Sequence, residues 1–310
     1  MGLSSAGPYT SHQLWYLYNT YGASPGTLTS YSHKPAAYRD RVVRGIQGIS
    51  PESLLCILRR PESDKSSHLF VAIEPSPNSR NIHEVRFVSR HVFEMLWDRL
   101  IKRQVFELQF YYELSSPSSA GWIFKSRVHE LLRRGDSIPL FLVRGRVAET
   151  EFIFDDYTAS KEKKPHRIFQ LPESEEYFLD EPTHPGVGRY CRTRPANFAT
   201  IDALFFVRPP GEPSPTFFAL QFARVEERDV KENELRRIIQ LGHSWTPDIE
   251  TRAYFVVVTP DDVQPKITVP KTSFGDKGGK VTGEESLDRL FRVFHFPISR
   301  KKLFPSRNYD

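Results

Sequence analysis

Two apolar runs, separated by a connection that carries four prolines within eight residues, constrain this chain more than any other feature. They are NFATIDALFF (197 to 206) and TFFALQFA (216 to 223), on either side of RPPGEPSP. Proline fixes φ and donates no amide, so the connection cannot extend a ladder and reads as a turn region. The runs themselves are short and dense in Phe, Leu and Ala, which predicts two buried strands. Each carries a polar interruption, Asp202 in the first and Gln221 in the second. In an antiparallel hairpin, residues a few places from the turn on each side come close across the ladder, which brings these two into one neighbourhood. A carboxylate in such a place needs a partner, because an unpaired buried charge is very costly. The candidates are an ion pair, a cap or a metal ion. An ion pair to Arg208 or Arg224 is one such reading, and a buried amide satisfied by backbone is the corresponding one for Gln221.

Composition sets the limits around this hairpin. With 310 residues and 39% apolar content the chain can fill one large core or two ordinary ones. Lysine and arginine (43) nearly balance aspartate and glutamate (38), so the net charge of +5 is a mild basic bias that permits a nucleic-acid partner without demanding one. The clusters KEKKPHR (161 to 167) and SRKK (299 to 302) read as solvated loops. Cys56 and Cys191 are far apart and lack metal-ligand spacing, which argues against a disulfide framework or zinc site and for a reducing compartment. No apolar stretch reaches the roughly 18 residues of a membrane span, and MGLSSAGPYTSHQ has neither the basic nor the apolar region of a signal peptide. Ala6 stands where a myristoylation pattern wants Ser or Thr.

Residues 11 to 115 read as mainly helical. Ser50 followed by Pro51 is a cap-then-proline start for PESLLCILRR, and SRHVFEMLWDRLIKRQVFELQFYYEL (89 to 114) spaces Val92, Met95, Leu96 and Leu100 at helical intervals. SSPSSAG breaks the pattern and places a boundary near residue 115. Then come an amphipathic helix, AGWIFKSRVHELLRRG (120 to 135), with Phe124, Val128, Leu131 and Leu132 on one side and Gly135 as its stop, and a strand, SIPLFLVRG (137 to 145). Residues 147 to 199 are polar and proline-rich and read as an insertion. After the hairpin, VKENELRRIIQLG reads as a helix ending at Gly242 and RAYFVVVTP as a strand. The order is helix, strand, strand, strand, helix, strand, which predicts an α/β domain with a mixed sheet covered by helices. The chain contains no GxxxxGK[ST], GxGxxG or GxSxG pattern.

The segments GWIFKSRVHELLRRG, NFATIDALFF and FFALQFARVEERDVK resemble the nuclease-like module of fungal Crinkler-type and retrotransposon-hot-spot proteins, within the PD-(D/E)XK, or restriction-endonuclease-like, superfamily. In that pattern a GxxFExxxHxxLxxG helix precedes a strand, an Ile-Asp pair opens the next strand, and a Phe-Gln-x-Thr segment closes the hairpin. The N-terminal YGASPGTLTSYSHKPAAY resembles the end of the P-loop NTPase half of longer members. The resemblance implies a restriction-endonuclease-like αβββαβ core over residues 116 to 300, with the insertion at 147 to 199, preceded by a mainly helical region over 1 to 115. It implies Mg²⁺ on Asp202 and Gln221, DNA in preference to RNA as partner, and the nucleus as a destination.

The site residues that follow are Asp202, Gln221 and Lys231 for catalysis, with Lys125, Arg127 and Arg224 for nucleic-acid contact. A carboxylate beside an amide oxygen is a hard-oxygen set of the kind Mg²⁺ accepts, and a bound cation polarises a phosphodiester. Against this, Lys125 stands where the family has glutamate, and Ala223 stands where the family has Thr and the superfamily Lys. Glu130 is no substitute, being about 140° around the helix from Lys125. Lys231 could act as a migrated lysine, and Lys125 could itself contact phosphate. The expectation is a nucleic-acid-binding protein of nuclease fold whose metal-dependent phosphodiesterase activity is weak or lost. The alternatives are an active Mg²⁺-dependent DNase and a non-catalytic protein-interaction module of an effector or defence protein.

Overall fold

The computed structural model describes residues 10 to 305 apart from 23, 32, 64–66, 77–78, 105–106, 149–150, 158–163, 166, 171–176, 180–187, 189, 194–200, 208–215, 225–226, 232, 234–236, 238–239, 241–252 and 271–290. Two compact units divide it: Met1–Phe124 with Phe304–Asp310, and Lys125–Leu303.

In the first unit, α1 (Ser11–Tyr21), α2 (Pro25–Tyr31), α3 (Pro35–Gly48) and α4 (Pro51–Arg59) are followed by an antiparallel hairpin of β1 (Val71–Ser76) and β2 (Ser79–Phe87), then α5 (Arg90–Arg99) and α6 (Leu108–Leu114). Local chemistry sets the helix starts. Thr10 and Gln13 form a reciprocal capping box on α1, and the Ser50 hydroxyl accepts the Ser53 amide on α4 with Pro51 in the first turn. Gly22 ends α1 at φ 63°, and a Cβ there would stand 2.3 Å from the Val88 carbonyl oxygen, so this position admits only glycine without rearrangement.

This hairpin departs from the helical expectation for residues 11 to 115, because its strands alternate weakly: Ile73 is half-exposed, and Glu74, Pro75 and Ser76 follow it. The single helix expected over 89 to 114 is two helices. Leu100 leaves the helical region at φ −120°, and a tight turn at Ile101–Arg103 lets both Leu100 and Ile101 face inward.

The Ser-Pro break near residue 115 precedes α7 (Pro117–Arg133), and the units divide within that helix. The second unit is α/β. Its strands are β3 (Ser137–Val147), β4 (Glu151–Asp156), β5 (Arg167–Gln170), β6 (Tyr177–Leu179), β7 (Tyr190–Thr193), β8 (Ala203–Val207), β9 (Thr216–Phe222), β10 (Glu227–Asp229), β11 (Ala253–Pro260), β12 (Lys266–Pro270) and β13 (Phe291–Ile298), and α8 (Arg300–Leu303) follows. They form one mixed sheet in the order β10-β12-β4-β3-β13-β11-β9-β8-β7-β6, with β5 paired to β3. β7, β8 and β9 form an antiparallel meander, while β9, β11 and β13 run parallel. Residues 233, 237 and 240 between β10 and β11 are helical; of the rest of the helix expected over 230 to 242, Val230 and Lys231 are not helical, and the other residues lie outside the described ones.

Two corrections follow. The strand beside β8 is β7, drawn from the segment read as an insertion, whereas the expected first strand, β3, is separated from β8 by β13, β11 and β9. β10 also intervenes between β9 and the helical residues.

The sheet curls over itself. Six strand spacings along the ladder separate β9 from β10, about 29 Å if flat. Yet five Cα steps join Phe222 to Glu227, about 18 Å fully extended. The curl lays Phe152, Phe154, Ile267 and Val269 of β4 and β12 on Phe217, Ala219, Phe255, Val257 and Val293 in one core. β3 makes the bend by changing partners along its length, from β5 to β13 to β4, with a register shift at Arg144/Gly145.

Candidate functional site

α7 carries the helical half of the site. Its apolar positions Phe124, Val128, Leu131 and Leu132 are buried, and Gly135 turns the chain at φ 82° beyond its last turn. Lys125 projects from this helix and its Nζ lies 2.6 Å from Asp202 Oδ1. The side chains are 32% and 15% exposed, so the carboxylate is the more enclosed partner while the ammonium keeps one face to solvent.

Asp202 sits just before β8, at an irregularity. The ladder pairs Ala203 with Leu220, yet the Asp202 amide also donates to the Leu220 carbonyl at 2.9 Å, and the Asp202 carbonyl accepts the Thr193 amide of β7. Two residues of one strand thus meet one of the next, the arrangement of a β-bulge, which re-aims the side chain. The carboxylate turns along the sheet, and its Oδ2 accepts the Phe222 amide at 2.8 Å.

Gln221 precedes Phe222 and is 4% exposed. It follows the alternation of Phe217, Ala219 and Ala223, which belong to the core cluster, and its Oε1 is buried with no hydrogen-bond partner among the described residues. Phe222 takes the opposite face, where its ring meets His129 of α7 at 4.8 Å between centroids, and His129 Nδ1 is hydrogen-bonded to the Tyr190 hydroxyl of β7. His129 and Tyr190 were not singled out in the sequence. The His at the fifth position after Phe124 in GWIFKSRVHELLRRG was the signal available, since it marks the turn of α7 that stands over β9.

The other expected residues are placed differently. Arg127 is 3% exposed; its Nε donates to the Leu303 carbonyl at 3.1 Å and its Nη1 lies 2.9 Å from Glu130 Oε2, so its guanidinium braces α7 against the end of α8 and offers nothing to a phosphate. Glu130 also bonds Arg134 and is fully engaged on its own helix. Lys231 is exposed and lies beyond β10, the edge strand paired with β12. Arg224 is half-buried, Ala223 is buried with its amide on the Val258 carbonyl, and Arg208 lies outside the described residues.

As arranged, this set does not suit Mg²⁺. The ion asks for near-octahedral oxygen ligation at about 2.1 Å. Here one carboxylate oxygen holds an ammonium and the other a backbone amide. Among the described residues no group of three or more His, Cys, Asp or Glu side chains is placed to hold a metal, and no helix is long and apolar enough to cross a membrane. No protein-family model, curated protein or solved structure matches this chain.

Proposed function

We propose that the second unit is a nucleic-acid-binding module of restriction-endonuclease-like type, related to the Crinkler nuclease modules, in which metal-dependent phosphodiester hydrolysis is lost or severely weakened. The order supporting this reading is α7, the β7-β8-β9 meander, the segment with helical residues 233, 237 and 240, and β11 parallel to β9. In it the core begins at β7 rather than β3.

The observation that carries the proposal is the Lys125–Asp202 pair at the mouth of the hairpin. A nuclease of this type needs a concentration of negative charge that draws in a divalent cation, and here an ammonium neutralises the Asp202 carboxylate. The same ammonium has three donors and spends one on Asp202, so its exposed face suits a phosphate oxygen. Chemistry at a phosphodiester also needs a charge-stabilising donor near the reacting atoms, and loss of one such donor commonly lowers rate by about 10²- to 10³-fold. Ala223 contributes none.

Two measurements test this. Anisotropy titrations with duplex and single-stranded oligonucleotides over a salt series should show affinity falling with a slope of several ions, and Lys125→Met should reduce that slope by about one. Plasmid incubation with Mg²⁺ or Mn²⁺ should leave the substrate intact; cleavage abolished by Asp202→Ala would establish an active nuclease instead. Absence of both cleavage and salt-sensitive binding would leave a protein-interaction module.

A further inference from the structure

We infer that the outer edge of β2 is a peptide-binding site, which takes a short extended peptide carrying a lysine or arginine as an added strand. The site lies wholly within the first unit and does not depend on the nucleic-acid reading of the second.

The hairpin's register fixes which main-chain groups point outward. The Val88 amide donates to the Phe70 carbonyl at 2.9 Å, so this pair and every second one from it, Ala72 with Arg86 and Glu74 with Glu84, turn their groups toward each other. Val71, Ile73 and Pro75 of β1 and His83, Val85 and Phe87 of β2 turn theirs away. On β2 two of these groups are met at the start of α7. The Ser116 amide donates to the Val85 carbonyl at 2.7 Å, and the Phe87 amide donates to Ser119 Oγ at 2.9 Å. The Val85 amide and the amide and carbonyl of His83 have no partner among the described residues. The β1 edge is guarded at the same level, because Pro75 lies directly opposite His83 and has no N–H to offer. The β2 edge has no such guard.

A cavity of about 450 Å³ stands against these open groups, bounded by the end of α4, by His83 to Val85 and by the segment from Glu113 to Pro117. Ser115 Oγ in its wall is buried and has no hydrogen-bond partner among the described residues, where such atoms nearly always find one. An extended peptide supplies what the wall lacks: two carbonyls for the amides of His83 and Val85, and one N–H for the His83 carbonyl. The bond from Ser116 ends the open ladder at Val85, which limits the guest to a few residues. Charge selects its side chains. Glu84 and Glu113 border the cavity against one guanidinium, Arg59, which lies over the Phe110 ring at 5.7 Å. Glu84 stands directly opposite Glu74, and Arg86 pairs with Glu74 at 2.6 Å, so among the described residues Glu84 has no ion pair. Like charges opposite each other repel across a ladder, and a cationic side chain on the guest relieves this.

The test uses the full chain and an array of acetylated, amidated pentapeptides with lysine at the centre and valine, isoleucine, threonine or tyrosine elsewhere, beside the same array with glutamate at the centre. The tightest binder is then titrated by fluorescence anisotropy. It should come from the lysine set, and methylating its amide nitrogens one at a time should weaken binding at least about tenfold at one of them, the worth of a main-chain hydrogen bond. His83→Pro deletes one outward N–H and none of the bonds to β1, and should weaken binding by a similar factor. Glu84→Gln should narrow the preference for lysine over glutamate. Each variant is checked for folding by circular dichroism; should His83→Pro fail to fold, the methylation scan decides alone. No lysine peptide binding more tightly than the glutamate set, or binding that survives both methylation and His83→Pro, overturns the inference. Concentration-dependent dimerisation abolished by His83→Pro would make the occupant a second copy of this chain and overturn it as well.

Discussion

The Phe222 amide donates to Asp202 Oδ2, so a side chain completes the hydrogen bonding of β9 at the point where β8 has not yet begun. Asp202 therefore has two tasks, one toward the backbone of β9 and one toward Lys125, and they separate by mutation. Lys125→Met removes a partly exposed ion pair and should cost about 0.5 to 1 kcal/mol. Asp202→Ala also strands the Phe222 amide and should cost about 2 to 3 kcal/mol. Urea unfolding of the two variants checks this; equal losses would mean that the bond to the amide contributes nothing.

Gln221 should be a site of avoidable instability. A buried acceptor without a donor costs about 1 to 3 kcal/mol, and methionine has similar length without that group. Gln221→Met should raise the urea midpoint by an amount worth about 1 kcal/mol. A lowered midpoint would show that the amide oxygen is satisfied in solution.

Arg127 should behave as a structural residue. Removing one partner of a buried ion pair costs about 3 kcal/mol or more, and Arg127→Met also strands the Leu303 carbonyl. Calorimetry should show the destabilisation, while oligonucleotide affinity measured well below the transition should stay within about twofold of wild type. A selective loss of affinity with unchanged stability would return Arg127 to the binding surface.

His295 makes stability depend on pH. It is 3% exposed, and burial lowers its pKa from 6.5 to about 4. Its Nε2 lies 2.7 Å from the Thr259 hydroxyl, whose single hydrogen faces the Pro260 and Val263 carbonyls at 2.8 Å, so the ring donates from Nε2, and burial keeps it neutral at pH 7. Between pH 6.5 and 4 the unfolded chain takes a proton that the folded chain refuses, and stability falls as pH falls through that window. The loss attributable to this group is about 3 kcal/mol. Unfolding free energies of wild type and His295→Gln, compared at pH 7 and pH 4, should converge by about that amount.

Much of the local architecture was legible in the residues themselves. Ser50 before Pro51, the apolar spacing of α7 and the dense apolar run of β9 around its one amide each specify their element through short-range causes: a capped first turn, a 3.6-residue repeat, and a strand covered on both faces. The β1–β2 hairpin escaped because half-exposed strands with proline and serine carry little apolar alternation. β7 escaped because four residues, YCRT, are too few for any periodicity to show.

By itself, the sequence determined that an acid and an amide interrupt two strands joined by a proline-rich turn, and that a lysine rides on the preceding helix; these are matters of residue type and spacing. Only the tertiary structure decided what each polar group meets. Strand order depends on long-range pairing, which put β7 rather than β3 beside β8. The bulge at Asp202 then broke the two-residue alternation from which a side chain's face is read. That break turned the carboxylate to the Phe222 amide and to Lys125, while Gln221, still in register, kept its place in the core.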